Sequence, residues 1–264
     1  MIEIIRPFCF DKKGNTEKRY RLMIKTHTIK PGFAGRLRAL LGPLAGMILL
    51  LFPLTTMAGA LPIEVVFYNY EINRLPTDWK ARDAVSAGKV YSVQIELGKR
   101  FIHADSKGTK DQIGLEARWP LREFPLLQWQ WRAVQFPAGS NEREKSRNDS
   151  VLGIYIIFGT FPFIKTIKYI WSDTLPVGSS FPSPYSSSTR IVVVRSGRAQ
   201  QGTWVTERRD VLADYFQIYG EGEKNPVASG IGLLTDSDDT NSHAIGDYAD
   251  FKTPPPAVMK ATAH

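Results

Sequence analysis

Leu126-Leu127-Gln128-Trp129-Gln130-Trp131-Arg132-Ala133 alternates at period two. Leu127, Trp129, Trp131 and Ala133 share one side, and Gln128, Gln130 and Arg132 share the other. Successive side chains of a strand point to opposite faces, so this run is a strand with one buried and one wet face. The same pattern recurs at Tyr91, Val93, Ile95 and Leu97, and again at Ile113, Leu115, Ala117 and Trp119. Val151 to Phe158 and Ile191 to Val194 are apolar on both sides and predict strands covered from both faces. Further strands are expected at 64–70, 100–105, 166–171, 202–209, 230–235 and 244–251, about eleven in all. One helix is expected near 210–219. Asp210 caps it, Val211, Leu212, Tyr215, Ile218 and Tyr219 form its stripe, and Gly220 ends it. Many strands and no βαβ alternation predict an all-β, jelly-roll-like antiparallel β-sandwich.

The chain has 264 residues and one cysteine, which excludes an intramolecular disulfide and any multi-cysteine metal cluster. The net charge of +8 would suit a nucleic-acid binder. The excess sits in residues 1–60, however, which hold ten of the 34 Lys and Arg and three of the 26 acids. The remaining 24 bases and 23 acids nearly cancel, so no nucleic-acid partner is expected.

Between Arg38 and Glu64 there is no charged residue. Lys25, Lys30, Arg36 and Arg38 precede an apolar core from Leu40 to Leu54, and Ala58-Gly59-Ala60 follows it. Those are the three parts of a secretory signal, with a cut expected between Ala60 and Leu61. Met23 is a second candidate start. The alternative is an uncleaved anchor, since the uncharged run reaches the roughly 20 residues needed to span a bilayer. Pro43, Pro53 and the Ala-Gly-Ala end favour the signal. The expected organisation is a leader at 1–60, one sandwich domain at 61–252 and a flexible tail at 253–264. The expected location is periplasmic or secreted, with membrane contact only through the leader.

Candidate chemistry lies in the loops. Asp236, Asp238, Asp239 and Asn241 offer hard oxygen ligands at close spacing, with Asp247 and Asp250 on the following strand. No cofactor is assigned, and the set is a candidate only for a structural Ca²⁺. An EF-hand is excluded, because its sixth position would be Asn241 rather than Gly. The bland alternative is a solvated turn whose Asp and Asn side chains bond their own backbone. Arg147 and Asp149 close a mixed-charge run before the strand at 151 and are candidate ligand-binding residues. Trp129 and Trp131 are expected in the core. The alternative is a flat aromatic platform for sugar rings. Trp79 is expected to plug one end of the sandwich from a turn. Only His103, His243 and His264 follow the leader, and no Gly-x-Ser-x-Gly elbow exists, so no catalytic residue is assigned.

Several stretches taken together carry a resemblance. Pro125-Leu126-Leu127-Gln128-Trp129-Gln130-Trp131-Arg132 is one. Others are Glu144-Lys145 through Asn148-Asp149, Ile191 to Gly197, Asp210 to Tyr215 and Gly230 to Asp238. From about Trp79 to Phe251 the chain resembles the bacterial exported family known as domain of unknown function 3047. The resemblance implies a sandwich laid out like carbohydrate-binding modules and assigns no activity. Two positions depart from the family pattern, which tends to have Asp-Asp where this chain has Asn148-Asp149, and Arg where it has Gly153. The reading that results is an exported, non-enzymatic sandwich that binds a glycan or other envelope polymer. Two alternatives stand beside it, a hydrolase using Asp149 with the Asp236/Asp238 loop, and an envelope scaffold.

Overall fold

The computed structural model describes residues 62–254. The leader with Cys9, Met23 and the Ala60–Leu61 junction, and the tail beyond 254, lie outside the described residues. Thirteen strands and two helices follow one another. The first are β1 (Glu64–Val65), β2 (Trp79–Ala81), α1 (Ala84–Val90), β3 (Tyr91–Glu96) and β4 (Lys99–Lys107). Then come β5 (Gln112–Pro120), β6 (Leu126–Gln135), β7 (Leu152–Phe158), β8 (Lys165–Ser172) and β9 (Ser180–Ser183). The last are β10 (Ser186–Ser196), β11 (Val205–Asp210), α2 (Val211–Tyr219), β12 (Val227–Leu234) and β13 (His243–Lys252).

The strands form two sheets. One runs β11-β6-β13-β4-β3, with β1 added to β13, and the other runs β2-β5-β12-β7-β8-β10-β9. This is the expected all-β sandwich, with corrections. Pairing is antiparallel except between β8 and β10, which run parallel. The Ser- and Pro-rich stretch 172–189 provides that crossover and contains β9. β9 and β2 are the two strands beyond the expected eleven. Both are too short to show alternation. Trp79 lies in β2 rather than in a turn, buried with its ring 6.2 Å from Phe251.

The strand expected over 64–70 shortens to Glu64–Val65. Alternation in β3 stops before Leu97. Leu97 and Gly98 both have positive φ, 48° and 81°, as the two central residues of a tight hairpin turn do, so Leu97 is exposed. α1 was not expected, because its seven residues make no stripe. Asp83 caps it by accepting from the amides of Val85 at 2.8 Å and Ser86 at 3.1 Å. α2 begins as predicted, with Asp210 accepting from Ala213 N at 2.9 Å. Among the described residues no helix is long and apolar enough to cross a membrane.

The core lies between the sheets. Trp119, Trp129, Trp131 and Trp171 are all buried. The platform alternative for Trp129 and Trp131 is thereby overturned. Trp129 stacks on Tyr169 at 5.7 Å, and Trp131 meets Trp171 at 6.0 Å. Elsewhere the sheets approach closely enough to require glycine. A Cβ on Gly246 of β13 would lie 2.6 Å from Leu152 Cδ2 and 2.8 Å from Val151 O. A second, smaller cluster covers the far side of β8 and β10, built from Ile170, Leu175, Phe181, Ile191 and Val193. At the C-terminal end Thr253 is buried and accepts from Ile63 N through its hydroxyl at 2.7 Å.

Replacing Trp131 with Ala removes a fully buried aromatic ring from this contact. The expected cost is about 3–5 kcal/mol, measured by denaturant unfolding. An unchanged midpoint would contradict its place in the core.

Candidate functional site

The two polar loops meet at one end of the sandwich. Asp149 is fully buried, and its carboxylate accepts from Asp239 N at 3.2 Å and Thr240 N at 2.7 Å. Oxygens of Asp149, Asp238 and Asp239 lie within 4.8 Å of one another. Asp238 also pairs with Lys110 at 2.9 Å, and Asp239 pairs with the Tyr185 hydroxyl. Burial raises the Asp239 pKa and the Tyr185 hydrogen bond opposes the rise.

The expected ligand set is therefore reshuffled: Asp149 enters while Asp236 and Asn241 point elsewhere. Asn241 has left-handed backbone, φ 47°, and its side-chain oxygen lies against Gly108. Arg147 stays on the surface, bonded to Glu144 at 2.6 Å and away from the cluster. Asp250 pairs with Lys99 at 2.9 Å. Glycosidase carboxylates stand about 5–9.5 Å apart and must reach the sugar. Asp149 is buried with both oxygens occupied, which takes it out of the carboxylate pair that a hydrolase would need.

Asp236 belongs to a second, closed cluster. Its Oδ1 accepts from Ser150 N at 2.7 Å, and its Oδ2 lies 4.0 Å from Lys168 Nζ. Lys168 projects from the far side of β8 and is buried. Gly153 on β7 makes room for it, since a Cβ there would lie 2.8 Å from Lys168 Cε. Burial works against the ammonium, yet Asp236, Tyr155 and Glu142 together hold its pKa above the ordinary lysine value. Glu142, also buried, accepts from Ser172 Oγ at 2.8 Å, and burial raises its pKa. Burial pushes the Asp236 carboxyl up to about 7, Lys168 opposing the rise and Asp149 adding to it.

The folded protein thus holds the Asp236 proton more tightly than the unfolded chain does. Its contribution to stability is greatest below its ordinary value of 3.8 and is lost as pH rises towards about 7. Denaturant unfolding at pH 5 and pH 8 should show wild type losing stability relative to Asp236→Asn over that interval. A relative gain would overturn the assignment.

The open polar surface is the outer face of the six-stranded sheet. Because Trp129 and Trp131 of β6 point inward, Gln128, Gln130 and Arg132 point outward. Asp247 of β13 stands opposite both Arg132 and His103 of β4. Its Oδ1 lies 2.7 Å from His103 Nδ1, and its Oδ2 accepts from Arg132 Nε at 2.7 Å. The side chain of Asp247 is wholly buried beneath these neighbours, while that of His103 stays 31% exposed. Arg132 also reaches Glu96 at 2.6 Å.

Trp204 caps this face just ahead of β11. It packs edge-on against Phe101 at 5.3 Å, with Lys99 4.3 Å and Arg132 4.9 Å from its ring centre. Of the six tryptophans it alone is not buried. Sequence reasoning identified the wet face of β6 but not its partners. His103 and Asp247 are 144 positions apart, and only strand register joins them. A separate cleft of about 310 Å³ opens beside Phe158, Phe163, Lys165 and Tyr215, where Phe161 and Phe163 are exposed.

No curated protein matches the chain. Solved structures overlap it loosely. Endoglucanase 3 from family GH12 of Trichoderma harzianum is 7% identical, with 74% of this chain and 98% of that one covered at a TM-score of 0.37. The xyloglucanase domain of NopAA, a type three effector from Sinorhizobium fredii, in complex with cellobiose, is 7% identical, with 63% and 89% covered at 0.34. TmCBM61 in complex with β-1,4-galactotriose is 7% identical, with 68% and 90% covered at 0.31. Superpositions this loose carry no weight on ligand or chemistry. The family model described as "Protein of unknown function (DUF3047)" matches residues 77–252, which include every strand from β2 to β13 and both polar clusters, and the chain belongs to that family.

Proposed function

We propose that this protein is exported and binds a glycan or another polymer of the cell envelope on the outer face of its six-stranded sheet. The leader pattern supports export. The observation that carries binding is Trp204, half-buried at the edge of that face just ahead of β11, beside Lys99, Phe101 and Arg132. The part of the ring that Lys99, Phe101 and Arg132 leave uncovered offers apolar surface to a pyranose, and those two cations offer donors to its hydroxyls. Pull-down on peptidoglycan, lipopolysaccharide and common polysaccharides tests the reading. Trp204→Ala should cost about 2 kcal/mol, roughly thirtyfold in Kd for the retained polymer. Phe163→Ala probes the exposed aromatic that lines the separate cleft. Loss there alone would move binding to the cleft, and retention on no polymer would sink the reading.

The Ca²⁺ reading attaches to Asp149, Asp238 and Asp239, whose clustered charge an oxygen-seeking cation would relieve. The expected outcome is a modest rise in Tm in millimolar CaCl₂ over EDTA, absent in Asp238→Ala. A ligand at a hundred times its Kd adds about 2.7 kcal/mol, which sets the scale. Identical melts for wild type in both buffers would leave Lys110, Tyr185 and the Thr240 amide as the partners of that cluster.

A further inference from the structure

One rung of the six-stranded sheet carries Ser92 on β3, His103 on β4, Asp247 on β13 and Arg132 on β6, each directly opposite the next. All four point outward, because Tyr91, Ile102, Tyr248 and Trp131 beside them fill the core. Asp247 holds His103 through Nδ1 and is itself fixed by Arg132. Ser92 of β3 flanks His103 on the side away from β13. Among the described residues no hydrogen bond engages His103 Nε2. Directly opposed residues have Cβ atoms about 4.5–5.5 Å apart, which places the Ser92 hydroxyl beside the His103 ring. Ser92 Oγ accepts from Gln94 Nε2 at 3.0 Å, which leaves its hydroxyl hydrogen free to donate. Gln94 is braced in turn on Asn73 Oδ1 at 3.0 Å, and Asn73 is held in left-handed backbone at φ 62°.

We propose that Ser92, His103 and Asp247 form a nucleophilic triad that hydrolyses acyl esters carried on the polymer. A nucleophile, a base and a buried carboxylate that orients the base are the parts such chemistry needs, and the serine–histidine contact commonly tightens only on substrate. Ser92 Oγ attacks the ester carbonyl and its proton passes to His103 Nε2. The C–O bond to the alcohol breaks, and the alcohol leaves with that proton. Water then attacks the acyl-serine, giving its proton to Nε2, and the acid is released as Ser92 is reprotonated. Asp247 stabilises the imidazolium and sets its tautomer. Arg132 acts only by positioning Asp247. The same face holds a second pair, His243 Nε2 with Asp105 Oδ1 at 2.7 Å, which serves as an internal control.

The triad rests on the binding-face reading only for its polymer, so its test uses small probes. The full-length chain is treated with a fluorophosphonate, and the adduct is mapped by peptide mass spectrometry. Turnover of p-nitrophenyl acetate is followed in parallel. The expected adduct is on Ser92. Ser92→Ala and His103→Ala should each lower kcat/KM by about a thousandfold or more, with the double variant no worse, because triad members act as a unit. His243→Ala should leave both readouts unchanged. No adduct on Ser92 in folded wild type, or undiminished turnover in Ser92→Ala, overturns the triad. If His103→Ala fails to fold, the mapped adduct on wild type still decides. An adduct without polymer retention keeps the triad and removes the binding reading, and retention without an adduct does the reverse.

Discussion

The two sheets are held in register by aromatic contacts between β6 and β8. Trp129 stacks on Tyr169 with 21° between the rings, Trp131 leans on Trp171, and the two β6 tryptophans meet edge-on at 5.3 Å. Each such ring buries about 150–250 Å². At about 25 cal/mol per Å² that is about 4–6 kcal/mol per tryptophan, before conformational entropy is set against it. Polar tips make the packing specific. Trp131 Nε1 donates to Glu207 on β11 at 3.2 Å, and Trp171 Nε1 donates to Gly197 O at 2.9 Å. Glu207 also accepts from Arg195 on β10, so one carboxylate joins the two sheets beside the ring. Slippage of β6 by one residue would expose both tryptophans and bury Gln128, Gln130 and Arg132, which forbids it.

That constraint fixes the outer face as firmly as the core. Arg132 must point outward because Trp131 points inward, and β13 then brings Asp247 opposite it. Asp247 stands opposite His103 because Tyr248, Ile102 and Ala104 are core residues on the neighbouring positions. The polar rung is the obligatory reverse of the hydrophobic one. A change that weakened the Trp131–Trp171 contact would therefore also disturb the His103–Asp247 geometry, with no residue of the rung altered.

Long alternating strands were legible because period two survives without knowledge of partners, as in β5 and β6. The α2 helix was legible because Asp210 and Gly220 bracket an apolar stripe. β2, β9 and α1 were not, since three, four and seven residues carry too little pattern. The parallel pairing of β8 with β10 could not be read, because nothing local marks how a chain returns. Of the candidate site, the Asp238–Asp239 pair was readable from spacing alone. Its third member, Asp149, lies 90 positions away and joins through backbone amides of the other loop. Arg147, adjacent in sequence to that site, is instead satisfied locally by Glu144 three residues earlier. Lys168 was hidden because β8 is buried on both faces, and a lysine there reads as a surface residue until its cover is seen.

The polar clusters differ in kind. Lys168, Asp236 and Glu142 are closed off beneath loops. Buried ion pairs of this sort commonly contribute less to stability than an apolar filling would. What they supply is placement. Ser150 N on Asp236 and Ser172 Oγ on Glu142 pin the loops at 137–149 and 173–179 onto the far side of the seven-stranded sheet. Asp149 does the same for the 235–242 loop through two amides. Asp149 and Asp236 are engaged by backbone amides, Thr240 and Lys168, and Glu142 by Ser172 through one oxygen while its Oε1 stays buried without a partner. On the six-stranded sheet the balance is reversed. Asp247 is spent, but on a histidine that stands opposite a serine held only by Gln94 and near a half-covered tryptophan. Unspent hydrogen-bonding capacity within reach of solvent is what recognition and proton transfer require, and His103, unlike Glu142, holds it at the surface.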